Sequence, residues 1–96
     1  MAKKRVKTDA FGVILREIRH EQNLSQEELA LRLEVARNYI SCLESGQRYP
    51  SLEMLIAVAQ ALGMRPGEML DRIVERIASG KASTLTKQAG PIKEHM

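Results

Sequence analysis

Ninety-six residues leave room for one domain and not for two, and 44% hydrophobic with 28% charged residues is the balance of a globular chain. Aromatic residues are only 3% and Trp is absent, so the core must be built from Leu, Ile, Val, Ala and Met, which favours helices; the single Cys42 excludes an internal disulfide, and no apolar run matches a membrane span or a signal peptide, so a cytoplasmic protein is expected. The net charge of +3 is uneven: residues 1–9 hold four basic groups and one acid, residues 10–78 eight basic and ten acidic, and residues 79–96 three basic and one acidic, which argues for a local binding surface with basic ends and against a general positive field.

Residues 1–8, with Lys3, Lys4, Arg5 and Lys7, show no apolar period and are expected to form a flexible basic arm. Such an arm either solubilises the chain or gathers phosphates. Thr8 or Asp9 can cap a first helix whose apolar positions Phe11, Ile14, Leu15 and Ile18 recur three and four apart. Asn23 ends it and Leu24 tucks back. Ser25-Gln26-Glu27-Glu28 reads as a capping box, in which the Ser25 hydroxyl accepts from the Glu28 amide and the Glu28 carboxylate accepts from the Ser25 amide. The second helix buries Leu29, Ala30 and Leu33. A break at Glu34-Val35-Ala36 leads into a third helix, about Arg37 to Glu44, with Ile40 and Leu43 inward. Gly46 can take the left-handed conformation that stops a helix. Ser51 caps a fourth helix carrying Leu52, Leu55, Ile56, Ala59 and Leu62 and closing at Gly63. Pro66 suits the first turn of a fifth, whose apolar stripe is Met69, Leu70, Ile73, Val74 and Ile77. Residues 79–96 are rich in Gly, Ser, Thr and Lys and read as a flexible tail. The predicted fold is all-α, five short helices in one domain over residues 9–78.

The second and third helices carry the functional reading. Ala30 is small enough for a close crossing, and Val35 and Ile40 supply apolar contacts that set its angle. A steep crossing with a short turn pushes one helix out of the surface, where it fits a major groove about 12 Å wide. Ser25-Gln26-x-x-Leu29-Ala30, Tyr39-Ile40-Ser41-x-Leu43-Glu44-x-Gly46, Pro50-Ser51-Leu52 and Ala61-Leu62-Gly63 follow in order. Together they resemble the Cro/phage-repressor (xenobiotic-response-element) type of helix-turn-helix, from about Ala10 to Leu70. In length and helix number the chain is similar to the restriction-modification controller proteins.

The resemblance implies a compact lambda-repressor-like domain and a transcriptional regulator that binds double-stranded DNA. It places Arg37, Asn38, Ser41 and Cys42 at base edges. It places Gln26 where the second helix meets a phosphate and buttresses the third, with Tyr39, Ser45, Gln47 and Arg48 beside the DNA backbone. It pairs Arg19 with Glu44 between the first and third helices. Apart from the resemblance, Arg37, Asn38, Ser41 and Cys42 stand at i, i+1, i+4 and i+5, and so share the face opposite Ile40 and Leu43. Arg suits guanine and Asn suits adenine, and the helix starts behind Ser25 and Ser51 are natural phosphate sites. Two positions depart from the pattern. Glu34 stands where the turn takes Gly or Asn, which costs about 1 kcal/mol if its φ is positive. Ala36 stands where a Ser or Thr cap is usual, a loss of about 1 kcal/mol.

The stripe Met69, Leu70, Ile73, Val74 and Ile77 is wide for a last helix, so part of it is expected to form a two-fold contact in a homodimer on a pseudo-palindromic site. Cys42 is read as an ordinary small side chain in preference to a redox switch, and His20 and His95 as surface residues. The alternative function is an antitoxin-like partner that uses the same fold to bind another protein. There is no carboxylate pair on a shared face, nucleophile with its base, Gly-rich phosphate loop or metal-ligand cluster, so neither catalysis, cofactor nor metal is expected.

Overall fold

The computed structural model describes residues 9–79. The expected basic arm, and the expected tail from residue 80 on with His95, lie outside the described residues. Five helices follow in order: α1 Ala10–Glu21, α2 Gln26–Leu33, α3 Arg37–Ser45, α4 Leu52–Ala61 and α5 Pro66–Ser79. Helix α5 thus runs one residue beyond the expected limit of the domain. Among the described residues there is no strand, and no helix is long and apolar enough to cross a membrane.

Each helix gives its apolar face to one core. Leu15 and Ile18 from α1, Leu29 from α2, Ile40 and Leu43 from α3, Val58 from α4 and Met69 from α5 are fully buried. Burial of a side chain of this size stabilises by about 1.5–3 kcal/mol, so the core is shared across the chain and not owned by any pair of helices. The inward row of α4 runs Leu55, Val58, Ala59 and Leu62. Leu52, expected on that row, is 70% exposed, and the packing of α4 against the core begins at Met54 and Leu55.

The helix ends follow one rule. Helices α1 to α4 each stop at a left-handed residue, Asn23, Glu34, Gly46 and Gly63. The residue after each donates back to the carbonyl five positions earlier: Leu24 to Arg19, Val35 to Ala30, Gln47 to Cys42 and Met64 to Ala59, at 2.9–3.0 Å. This closure satisfies carbonyls that the helix leaves open. The end of α4 is covered further by Gln22 Nε2 on the Leu62 carbonyl and Arg32 Nη1 on the Ala61 carbonyl, both at 2.7 Å.

The starts are less uniform. Ser25 and Glu28 complete their capping box, and the Ser51 hydroxyl accepts from the Met54 amide. Asp9 occupies the cap position of α1, but its side chain makes no cap bond. Its backbone, at φ −101° and ψ 13°, is not in the extended conformation that aims a cap side chain at first-turn amides.

Helix α1 packs against both α3 and α5. On one side Gly12 meets the last turn of α3 so closely that a Cβ there would lie 2.5 Å from the Glu44 carbonyl oxygen and 2.6 Å from that of Leu43. On the other, Arg72 and Arg76 of α5 pair with Glu21 and Glu17 at 3.1 and 3.3 Å. These outer pairs are solvent-washed and contribute little each.

Candidate nucleic-acid interface

Helix α3 is built to show one face and hide the other. Ile40 and Leu43 are buried, while Arg37 and Asn38 are exposed and Ser41 and Cys42 half-buried on the opposite side. The groups offered outward are a guanidinium, a carboxamide, a hydroxyl and a thiol, which together can donate to and accept from base edges. Ala36 gives α3 no side-chain cap. The Cys42 thiol lies 3.5 Å from Gln47 Oε1, and the Ser45 hydroxyl donates to the Cys42 carbonyl at 3.2 Å.

Around this face stand the residues expected beside a sugar-phosphate backbone. Ser25, Ser45, Gln47, Arg48 and Ser51 are exposed, and Gln26 and Tyr39 half-buried. The Arg48 guanidinium lies 5.6 Å from the centroid of the Tyr39 ring, which holds a long cation beside α3.

Beneath the face runs a polar chain. Arg19 is buried; its Nε and Nη2 donate to the two carboxylate oxygens of Glu44 at 2.6 and 2.9 Å, and its Nη1 donates to the Leu24 carbonyl at 2.8 Å. The two side chains of the pair are 8% and 6% exposed. Gln26 Nε2 donates to Glu44 Oε1 at 3.0 Å, and Arg37 Nη1 donates to Gln26 Oε1 at 2.7 Å. Burial alone would raise the Glu44 pKa, but the hydrogen bonds from Arg19 and Gln26, with the charges of Arg19 and Arg16, hold it below the ordinary carboxylate value. Glu44 is therefore ionised at neutral pH. Glu28 is also held low, first by the Ser25 amide and then by the Ser25 hydroxyl.

The five residues expected at a subunit contact divide. Met69 and Ile73 are buried in the chain's own core, and Ile77 packs partly against it. Only Leu70 and Val74, 49% and 54% exposed, present α5's apolar surface outward. The stripe looked wide because it serves two directions, a helical face turned to the core and its outward shoulder. Met69 and Ile73 are accordingly removed from the contact.

Sequence reasoning missed two features of this region. One is the close approach at Gly12, for which the signal is an isolated Gly inside a helical pattern. That Gln26 buttresses α3 was expected from the resemblance, but its direct link to Glu44 on one side and Arg37 on the other has no spacing signal, since the members lie on two different helices. Among the described residues no cluster of His, Cys, Asp and Glu could hold a metal ion.

Comparison with known proteins agrees with this geometry. The helix-turn-helix family model matches residues 15–69, more than half of the chain. Control protein C.BamHI of Bacillus amyloliquefaciens is 42% identical over 62 residues, which cover 64% of this chain and 76% of that protein. The crystal structure of the restriction-modification controller protein C.AhdI from Aeromonas hydrophila is 42% identical, with a TM-score of 0.60, covering 62% of this chain and 91% of that one. The controller protein C.Esp1396I, solved as a tetramer with its natural 35 base-pair operator, shares the fold at 21% identity and a TM-score of 0.70, covering 79% of this chain and 100% of that one. The chain belongs to the Cro/C1-type helix-turn-helix family of DNA-binding transcriptional regulators.

Proposed function

We propose that the protein binds a pseudo-palindromic operator as a homodimer, with α3 in the major groove. Arg37, Asn38, Ser41 and Cys42 face base edges. Ser25, Gln26, Tyr39, Ser45, Gln47, Arg48 and Ser51 meet phosphates. The exposed Leu70 and Val74, with the edge of Ile77, supply the two-fold contact. The carrying observation is the division of α3, with Ile40 and Leu43 fully buried and Arg37 and Asn38 fully presented. The operator complex of C.Esp1396I supports the reading, because that protein of the same fold assembles on DNA. A chain of this kind acts by occupying DNA, in the compartment that holds it, and not by catalysis.

Selection from random duplex DNA by the purified protein tests the reading. The expected product is an inverted repeat with half-sites about 34 Å apart, one helical turn. Enrichment of no sequence overturns DNA reading by α3. A single unrepeated half-site, or a monomer in sedimentation at high concentration, overturns the dimer.

A further inference from the structure

We propose that Glu44 is a positioning residue for base recognition: acting through the Gln26 carboxamide, it sets the base preference of Arg37. The inference rests on the reading of Arg37 as a base-contacting residue and assigns its specificity to a buried carboxylate that does not itself reach the DNA.

The argument follows from donors and acceptors. An ionised carboxylate can only accept. Glu44 is kept ionised by Arg19, which occupies both of its oxygens. The carboxamide of Gln26 must therefore turn its NH2 toward Glu44, and it does, at 3.0 Å. Its oxygen is then the group left for the other side. A guanidinium can only donate, and Arg37 Nη1 donates to that oxygen at 2.7 Å. Every member of the chain from Arg19 to Arg37 is thus matched in one orientation. Turning the Gln26 amide over would set an oxygen against Glu44 and an NH2 against Arg37, wrong at both ends.

The consequence falls on Arg37. It is the first residue of α3, that helix has no acidic residue in its first turn, and among the described residues its guanidinium has a hydrogen bond to Gln26 alone. One of its five N–H groups is used and four remain, enough for the two that guanine requires. A long side chain that would otherwise sample many rotamers is held through one atom. Held so, it meets a guanine with a fixed fork; released, it can lie along a phosphate beside any base. A neutral amide in place of Glu44 accepts or donates equally well, so it no longer dictates which way Gln26 faces.

The test uses the full-length protein and operators that differ at one base pair. Comparison with R37A identifies the pair that Arg37 reads. Both E44Q and Q26A are then expected to lower the preference for guanine at that pair by roughly tenfold, the scale of one bidentate contact. Preferences at the pair read by Asn38 should persist. Because Glu44 acts through Gln26, the double variant should match the single ones and not add to them. Q26A leaves the Arg19–Glu44 pair in place and so serves where E44Q folds poorly. A second readout needs no DNA: the Arg37 side-chain N–H signals should exchange with water more slowly in the unaltered protein than in Q26A. A purely structural Glu44 gives a lower melting temperature and uniformly weaker binding with guanine preference intact, which overturns the inference. Equal Arg37 exchange in both proteins overturns it as well. Absence of any selective binding by the unaltered protein overturns the DNA reading and this inference together; selective binding with undiminished preference in both variants overturns this inference alone.

Discussion

At both ends of α2 the chain turns in the same way. It leaves one helix through a left-handed residue, Asn23 at φ 55° before α2 and Glu34 at φ 58° after it. An apolar residue follows, Leu24 or Val35, then an extended residue that starts the next helix, Ser25 or Ala36. The backbones are near copies, and the side chains are not. The first junction has Asn, which tolerates the left-handed region, and a complete capping box. The second has Glu at the strained position and Ala at the cap. Local chemistry therefore accounts for where α2 begins and does not account for where α3 begins. The placement of α3 comes from distant groups: Ile40 and Leu43 in the core, Gly12 against its last turn, Arg19 on Glu44, and Gln26 beside Arg37. The two junctions teach that similar turns can be held by opposite means, one from within and one from across the fold.

If that is so, the largest loss should follow from cutting the distant support. Arg19→Met removes the partner of a nearly buried Glu44 and should cost about 3 kcal/mol or more in denaturant unfolding. Acid acts on the same pair. The folded pKa of Glu44 lies below its unfolded one, so the pair's contribution is complete above the ordinary carboxylate value near 4.3 and is lost as pH falls below it, through the depressed folded value. Stability should fall on acidification, and Glu44→Gln should flatten that slope in part, leaving the share that belongs to Glu28. A slope identical in the two proteins would remove Glu44 from the account. Gly12→Ala comes next, at about 2 kcal/mol, because its new methyl would press on two carbonyl oxygens that belong to helix backbone and cannot swing away. A neutral outcome would mean that α1 and α3 can separate freely.

The caps discriminate the junctions on a smaller scale. Ser25→Ala should cost about 1 kcal/mol, and Ala36→Ser should gain up to about the same, since its backbone at φ −75° and ψ 146° is already that of a cap. Equal and opposite effects would show that α3 lacks only what α2 has. No gain from Ala36→Ser would show that its first-turn amides cannot reach the new hydroxyl.

What sequence could disclose follows the same division. The capping box at Ser25, the stops at Asn23, Gly46 and Gly63 and the start at Pro66 are local signals, and a local pattern specifies them, whereas the stop at Glu34 runs against its residue type. The period of α1 and the division of α3 were legible for the same reason. Leu52 stands outside the core, and the split of the α5 stripe was not legible, because period tells which residues share a face, not which part of the face reaches a neighbour. Gly12 against Glu44, Arg32 over the end of α4 and the link from Glu44 to Arg37 join residues 11 to 32 positions apart, and no spacing rule connects them. The Arg19–Glu44 pair came from family resemblance, not from the arithmetic of the helix.

The smallest effect is the sharpest probe of the two turns. Glu34→Gly relieves the cost of a left-handed non-glycine residue, on the order of 1 kcal/mol, while adding freedom to the unfolded chain that opposes the gain by roughly 0.5–1 kcal/mol. The balance should be a gain of a few tenths of a kcal/mol. Asn23→Gly pays the same unfolded-state cost with little strain to relieve, so its balance should be a loss of similar size. The absolute values are near the limit of a melting experiment, but the signs differ, and the sign is what the comparison needs. Two gains would mean that Asn23 is strained as much as Glu34. Two losses would mean that the fold accommodates Glu34 without strain, and that the turn before α3 is as well suited to its residue as the turn before α2.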